Sequence, residues 1–93
     1  MKGLGMLALD LPKSALKFVE ALPPKQFTQV FKKVLALMKD PEPNDSSDLQ
    51  GYPFKRADIG EYRIIYHADR DTLHVEVIGK RNDADIYRRL RNL

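Results

Sequence analysis

The sequence contains no cysteine among its 93 residues. Disulfide bonds and thiolate metal sites are therefore excluded, and the absence fits a protein of the reducing cytoplasm. No acidic or histidine-rich cluster with the character of a metal site is evident, so we expect neither a metal nor another cofactor. Long hydrophobic runs are also missing. The apolar stretch at residues 4–9 is too short to span a membrane and precedes no signal-peptide cleavage site, so no membrane association is expected.

Length and composition indicate a single soluble domain covering residues 1–93. The chain is 43% hydrophobic and 31% charged, which is typical of a folded globular protein with one modest core. Sixteen basic residues against 13 acidic ones leave a net charge of only +3. The basic excess is concentrated near the C-terminus, at Lys80, Arg81, Arg88, Arg89 and Arg91. Such a segment favours a polyanion such as nucleic acid, or an acidic protein, as the partner.

The periodic segments predict an α+β fold with the order β-α-α-β-β-β and a short C-terminal helix. A short strand precedes a helix that begins near Pro12, with Asp10 or a neighbour as its cap. A second helix starts at Pro24 and ends before a polar loop at residues 41–48. This second helix has the strongest periodic signal in the chain. Its expected buried face comprises Phe27, Val30, Phe31, Val34, Leu35 and Met38.

Residues 54–67 and 72–79 are expected to form an antiparallel meander sheet that packs on the two helices. One face of the last strand is expected to meet the helices, through Leu73, Val75 and Val77. A short terminal helix follows, capped by Asn82 or Asp83. Its apolar stripe comprises Ile86, Leu90 and Leu93.

The first two strands of the meander are predicted to form a hairpin with a loop at Ile59-Gly60. With that loop, Arg56 faces Arg63 and Asp58 faces Glu61 across the two strands. Opposed like charges destabilise a sheet, and a phosphate held between two guanidinium groups would remove the conflict. The alternative is that both arginines extend into solvent or pair with Asp58 and Glu61. Alternation places one set of side chains on a common face, comprising Phe54, Arg56, Arg63, Ile65 and His67.

Three segments of the chain match a known family. They are Leu49-Gln50-Gly51 before the hairpin, Gly60-Glu61-Tyr62-Arg63-Ile64-Ile65-Tyr66 within it, and Gly79-Lys80-Arg81 with Asp85-Ile86-Tyr87 after it. Through these motifs the sequence resembles the RelE/ParE toxin superfamily over nearly its whole length. The resemblance implies a toxin of a type II toxin–antitoxin pair, with a cognate antitoxin as its partner. RelE-like members cut mRNA in the ribosomal A site, whereas ParE-like members inhibit DNA gyrase.

The resemblance also implies catalytic residues for a metal-independent, ribosome-dependent endoribonuclease. In such a reaction the ribose 2′-hydroxyl attacks the neighbouring phosphorus, the phosphate charge is stabilised, and the leaving 5′-oxygen receives a proton. Arg63 matches the arginine that stabilises the phosphate charge, and Arg81 matches the arginine at the leaving group. Tyr87 matches a tyrosine that stacks on or orients the nucleotide. Arg56 holds one of two family positions for basic residues, and Phe54 stands at the other.

The general base is left open by the sequence. Arg56 stays charged and is unfit to accept a proton. His67 has a suitable intrinsic pKa and lies on the expected active face, but it can equally be a strand-end residue without a chemical role. Further contacts to RNA phosphates are expected from basic side chains that can also be ordinary solvated charges. These are Lys55, Lys80, Arg88, Arg89 and Arg91.

Three hypotheses follow from the sequence. The first is an endoribonuclease that binds the ribosome and mRNA, and the second is a gyrase-directed toxin without nuclease activity. The third is an inactive binding module retained for the antitoxin or for transcriptional autoregulation. The nuclease hypothesis requires the arginines to lie on one side of the molecule, and it would be contradicted by guanidinium groups that are scattered or held in internal carboxylate pairs.

Overall fold

The structure is a computed structural model that describes residues 5–82 and 84–91. The elements in chain order are β1 (Ala8–Asp10), α1 (Lys13–Glu20), α2 (Pro24–Lys39), β2 (Ser46–Asp48), β3 (Lys55–Ile59), β4 (Tyr62–Ala68), β5 (Thr72–Lys80) and α3 (Asp85–Arg91). The strands form one sheet in the order β1-β5-β4-β3-β2, with β1 parallel to β5 and every other pair antiparallel. The predicted α+β class is confirmed, but the sheet is mixed and is not a pure meander.

Strand β2 corrects the prediction of a polar loop over residues 41–48. Ser46–Asp48 pairs antiparallel with β3 and forms one edge of the sheet. Its three polar residues show no alternation of apolar and polar side chains, so the sequence contains no strand signal there. The predicted meander corresponds to β3, β4 and β5.

Helices cover both faces of the sheet. The first face packs against α1 and α2 around a core that includes Val19, Val30, Val34, Leu37, Ile64, Tyr66, Leu73 and Ile78. The second face packs against α3 through Leu49, Ile65, Val77, Ile86 and Leu90. We call these the helical-pair face and the α3 face. On α2, Leu37 is fully buried although the predicted stripe omits it. Phe27 and Phe31 of that stripe are instead 36% and 45% exposed and stack on each other.

A bulge in β5 divides the residues that were expected to share one face. Ile65 pairs with Val77, but the next residue, Tyr66, pairs with Val75, which leaves Glu76 as the extra residue. Val75 therefore packs in the helical-pair core and Val77 packs under α3. The prediction that both valines meet the two helices is wrong for Val77.

The helix starts also differ in detail from the prediction. Pro12 is the residue before α1, and no side chain caps this helix. The carboxylate of Asp10 instead lies 2.9 Å from Nδ1 of His74, so Asp10 links β1 to β5. Helix α3 begins at Asp85, and the carbonyl of Ala84 accepts its first backbone hydrogen bonds. The predicted cap Asp83 and the predicted apolar residue Leu93 lie outside the described residues.

Among the helices of residues 5–82 and 84–91, none has the length and apolar character that crossing a lipid bilayer requires.

Candidate active site

The hairpin between β3 and β4 turns at Gly60 and Glu61. Gly60 has a positive φ of 59°, which suits the first position of a two-residue hairpin turn. Asp58 therefore pairs with Arg63, and Arg56 pairs with Ile65. The predicted loop at Ile59-Gly60 and the predicted opposition of Arg56 and Arg63 are wrong. The pairing differs from the prediction by two residues, and a shift of two preserves the face of every side chain.

Arg63 is held in place by two partners on the α3 face. Its Nε and Nη2 donate to the two carboxylate oxygens of Asp58 at 2.7 and 3.1 Å. Its Nη1 donates to the hydroxyl of Tyr87 at 2.5 Å. Hydrogen bonding to Arg63 lowers the pKa of Asp58, and the same contact raises the pKa of Arg63. The guanidinium group is thus fixed, charged and nearly buried, with its side chain 11% exposed.

Arg81 reaches the same carboxylate from the end of β5. Its backbone N–H donates to the carbonyl of Glu61 at 2.9 Å, which ties the segment after β5 to the hairpin turn. Its Nη1 lies 4.0 Å from Oδ2 of Asp58, and its side chain is 47% exposed. Arg63 and Arg81 therefore flank one carboxylate, with Arg63 fixed inside the protein and Arg81 open to solvent.

Arg56 lies on the same side of the molecule without facing Arg63. Its Nε donates to the hydroxyl of Ser47 on the neighbouring edge strand at 3.0 Å. Arg56 and Tyr87 together line a groove of about 310 Å³. We call Arg56, Arg63, Arg81 and Tyr87 the candidate site. Its three guanidinium groups share one side of the sheet, as the nuclease hypothesis requires. Among the described residues, however, Arg63 has a bidentate internal carboxylate pair, and such a pair was expected to count against that hypothesis.

Tyr87 reaches the site because α3 packs very closely on β5. A Cβ atom at Gly79 would lie 2.8 Å from Cγ1 of Ile86 and 2.7 Å from Nη2 of Arg89. Only glycine therefore permits this separation of helix and strand. Ile86 and Leu90 are buried against the sheet, and this leaves Tyr87 on the side of the helix that faces Arg63.

No protein-family model matches the sequence, and no curated protein matches it. Solved structures do match. The free E. coli toxin RelE, as a double arginine-to-alanine mutant, aligns with a TM-score of 0.76 and 21% identity over 95% of this chain and 98% of that one. The toxin–antitoxin complex RelBE2 of Mycobacterium tuberculosis gives 0.69 and 20%, over 82% and 99%. A copper-bound mutant toxin of Helicobacter pylori gives 0.62 and 24%, over 83% and 97%.

This chain has the RelE fold. The sequence motifs predict that fold, and the comparison confirms it. The structures are 20–24% identical to this chain, so the likeness is one of architecture. In the RelE fold of this chain, the predicted catalytic residues come from β3, β4, the segment after β5 and α3, and the sheet brings them to one face.

The other predicted RNA-binding residues occupy varied positions on the RelE fold. Lys55 forms an ion pair with Asp48 at 2.8 Å. Lys80 follows Gly79, which lies on the α3 face, so the Lys80 side chain lies on the helical-pair face, away from the candidate site. On α3, Arg88 and Arg91 are exposed, with Arg88 in contact with Asp85 at 3.0 Å. Arg89 donates to the carbonyl of Ile78 at 3.2 Å and so anchors the helix to the sheet. Their role in RNA binding stays a prediction.

His67 shares the α3 face with Arg63, as expected, but lies four residues farther along β4. At about 3.3 Å per residue, the Cα atoms of the two residues lie about 13 Å apart, and their side chains contact different partners. His67 stacks on Phe54 and on His74, and its Nε2 lies 2.8 Å from Glu76. These contacts support the interpretation of His67 as a strand-end residue.

Asp58 is not among the predicted site residues, although the sequence offers it as an alternative partner for the arginines. A glycine at the first of two loop residues is typical of a type II′ hairpin turn, and that rule selects Gly60-Glu61 as the loop. With this loop, Asp58 falls directly opposite Arg63. The signal was therefore present in the sequence.

Proposed function

We propose that this protein is the toxin of a type II toxin–antitoxin pair and that it cleaves mRNA on the ribosome without a metal ion. One observation carries the proposal. Arg63 and Arg81 come from separate segments, yet both flank a single carboxylate position, and Tyr87 on α3 holds Arg63 beside it, in a chain with the RelE fold. Two cationic groups that flank one anion position form a site suited to a phosphodiester.

In the proposed reaction, the scissile phosphate occupies the position between Arg63 and Arg81. Arg63 presents two parallel N–H donors, which match two phosphate oxygens, and Tyr87 fixes the orientation of its guanidinium group. The 2′-hydroxyl loses its proton and attacks phosphorus, the bond from phosphorus to the 5′-oxygen breaks, and that oxygen gains a proton. The products are a 2′,3′-cyclic phosphate and a 5′-hydroxyl end. Both guanidinium groups stabilise the charge that develops on phosphorus-bound oxygens.

The residues of the candidate site favour a cleavage reaction that depends on the ribosome. The guanidinium groups of the candidate site remain protonated at neutral pH, so none of them accepts the proton of the 2′-hydroxyl. Catalysis then depends on alignment of the mRNA backbone, and alignment by a large partner can supply a major share of a rate enhancement. We therefore expect the isolated protein to cut naked RNA poorly.

A cognate antitoxin is the second proposed partner. The M. tuberculosis relative was solved as a toxin–antitoxin complex, and we extend that pairing to this chain. The basic residues around the candidate site and on α3 would meet an acidic segment of such a partner. Covering these residues would also block access of mRNA to the site.

A gyrase-directed toxin without nuclease activity is the second candidate function. Two observations favour it: Arg63 is already bound to Asp58, and Phe54 stands where the family carries a basic residue. Phe54 stacks between Tyr52 and His67 and packs in the α3 core, so it fills a structural position. A module that only binds the antitoxin would have the same features.

Induction of the protein in cells, followed by mapping of mRNA 5′ ends, tests these functions. We expect new ends in phase with codons on translated messages, and we expect Arg81→Ala to abolish them. Double-strand DNA breaks with intact messages would support the gyrase target. Unchanged growth, intact messages and intact DNA would leave only the antitoxin-binding module. Arg70→Ala provides a matched control, because Arg70 is an exposed arginine in the turn between β4 and β5.

A further inference from the structure

We propose that Asp58 is an internal counter-anion, which occupies the phosphate position of the candidate site and which an RNA phosphodiester must displace. The inference rests on the proposed function, because it takes single-stranded RNA as the ligand of that site. It assigns to Asp58 the role of a positioning and gating residue. In the free protein, Asp58 orients the guanidinium group of Arg63 through two hydrogen bonds. When RNA binds, these hydrogen bonds break and the phosphate accepts from the same N–H groups.

The geometry that supports this role is a shared hydrogen-bonding edge. Asp58 accepts from Nε and Nη2 of Arg63, which form one side of the guanidinium fork. The opposite side is engaged through Nη1 by Tyr87. A phosphate that binds between Arg63 and Arg81 through the Nε–Nη2 edge therefore needs the same two N–H groups that Asp58 now occupies, whereas the other bidentate edge includes Nη1, which Tyr87 already engages.

The electrostatics make simultaneous binding unfavourable. The Asp58 carboxylate also lies 4.0 Å from Arg81, so a phosphate between the two arginines would stand beside it. Its pKa is lowered, by the hydrogen bond from Arg63 above all and also by the charges of Arg56 and Arg81, so the group remains anionic at neutral pH. Two adjacent anions repel each other, so phosphate binding and the Asp58 contact compete.

The exposure of Asp58 allows such an exchange. Its side chain is 32% exposed, whereas that of Arg63 is 11% exposed. A rotation of Asp58 toward solvent restores its hydration and leaves Arg63 held by Tyr87 on α3. Displacement of a carboxylate costs free energy, so we infer that Asp58 weakens the binding of RNA that the ribosome does not present.

The test compares RNA binding by Asp58→Asn and by a charge-matched control. Asp58→Asn keeps an oxygen opposite Arg63 and removes the negative charge. Asp45→Asn also removes one carboxylate from an ion pair, with Lys33 on α2, away from the candidate site. The probe is a short fluorescein-labelled single-stranded RNA with 2′-O-methyl riboses, which cannot be cut, and the readout is fluorescence anisotropy at several salt concentrations.

We expect Asp58→Asn to tighten RNA binding about tenfold, and Asp45→Asn to change it by less than about twofold. Because the phosphate contacts Arg63 in both proteins, the slope of log affinity against log salt should differ by less than about 0.7, the value of one phosphate contact on a single strand. Equal effects of the two variants would overturn the inference, because net charge alone would then explain the binding. Weaker binding by Asp58→Asn would also overturn it, because the role of Asp58 would then be limited to orienting the Arg63 side chain.

A measurement on the unaltered protein covers the possibility that Asp58→Asn folds poorly. The Nε–H resonance of Arg63 reports its carboxylate partner, and we expect it to shift as the RNA saturates the site. An unchanged resonance at saturation would overturn the inference. Failure of the nuclease proposal is separable: intact mRNA on ribosomes together with the expected anisotropy result would refute cleavage and leave the displacement of Asp58 in place.

Discussion

At the scale of single residues, two arginines of the candidate site share a charge but differ in environment. Arg63 is nearly buried and has three hydrogen bonds to Asp58 and Tyr87. Arg81 is half exposed and approaches Asp58 only at 4.0 Å. Arg63 therefore contributes to the stability of the fold and to the proposed chemistry, whereas Arg81 is available for chemistry alone. The sequence implies different catalytic roles for the two residues but does not distinguish their contributions to stability.

This difference predicts how two alanine variants separate stability from activity. Arg63→Ala leaves the partly buried Asp58 carboxylate without its main partner, so we expect the free energy of unfolding to fall by about 2 kcal/mol. Arg81→Ala should change it by no more than about 0.5 kcal/mol, as is usual for an exposed side chain. Both should abolish mRNA cleavage. Urea unfolding followed by circular dichroism, with Arg70→Ala as control, measures the stabilities. Equal destabilisation by the two variants would contradict the assignment.

At the scale of elements, the position of the site depends on how the outer elements are attached to the central hairpin. Helix α3 brings Tyr87 to Arg63 only because Gly79 permits close packing on β5. At the other end of β5, His74 joins β1 to the turn between β4 and β5. Its two ring nitrogens lie 2.9 Å from carboxylate oxygens of Asp10 and Asp69. Each attachment makes a separate prediction.

Gly79→Ala should loosen α3 and move Tyr87 away from Arg63. The added methyl group would meet Cγ1 of Ile86, which is close to the helix backbone and cannot swing aside. We expect a loss of about 1–3 kcal/mol in unfolding free energy, as for an overpacked core, and a loss of cleavage. The double variant with Ile86→Ala removes the obstructing atom, so the two changes should couple by more than about 0.5 kcal/mol in a double-mutant cycle. Additive effects would show that Gly79 and Ile86 do not crowd each other.

His74 should make the stability of the sheet edge depend on pH. A neutral imidazole donates only one hydrogen bond, whereas both ring nitrogens face carboxylates, so the charged form is favoured. Its contacts with Asp10 and then Asp69 raise the pKa of His74 above 6.5, and the contact with His74 lowers the pKa of Asp69 to about 2.

The raised pKa of His74 fixes the direction of the pH effect. The stabilising contribution is complete below the unfolded-state pKa and is lost as pH rises through the higher folded-state pKa. Urea midpoints should therefore fall more between about pH 6 and pH 9 for the unaltered protein than for His74→Gln. Parallel curves for the two proteins would rule out this linkage.

The sequence predicts those parts of the fold that have a periodic signal. Helix α2 is recognisable because its apolar residues recur at spacings of three and four residues. The meander is recognisable from its runs of residues that favour β-strands. Strand β2 is not, because three polar residues at an edge have no pattern. The bulge at Glu76 reverses the alternation within β5, which is why Val77 was placed on the wrong face.

The candidate site could also be predicted from the sequence only in part. Family motifs predict Arg63, Arg81 and Tyr87, and the sheet brings all three together. Asp58 was assigned a different cross-strand neighbour, because the loop was placed one residue too early. A change of two residues in the pairing leaves each side chain on its predicted face. The alternative in which the arginines pair with Asp58 and Glu61 is confirmed for Arg63 and Asp58.

At the scale of the whole molecule, helices cover the two faces of the sheet to different extents. Helices α1 and α2 cover the first face and enclose the larger core. The shorter α3 covers only part of the second face, and the groove between Arg56 and Tyr87 lies beside it. The proposed substrate site is therefore a shallow open surface. Such a surface suits an extended strand presented by a large partner, and it offers little to enclose a small free substrate.

Cleavage of a synthetic mRNA on purified ribosomes, programmed with an empty A site, tests the proposed function most directly. We expect the protein to cut the mRNA within the A-site codon and to leave a 2′,3′-cyclic phosphate, and we expect Arg81→Ala to be slower by about a hundredfold or more. Arg70→Ala should cut at the rate of the unaltered protein. An mRNA that remains intact at saturating protein, or cleavage that Arg81→Ala performs equally well, would contradict the assignment of this protein as a ribosome-dependent endoribonuclease.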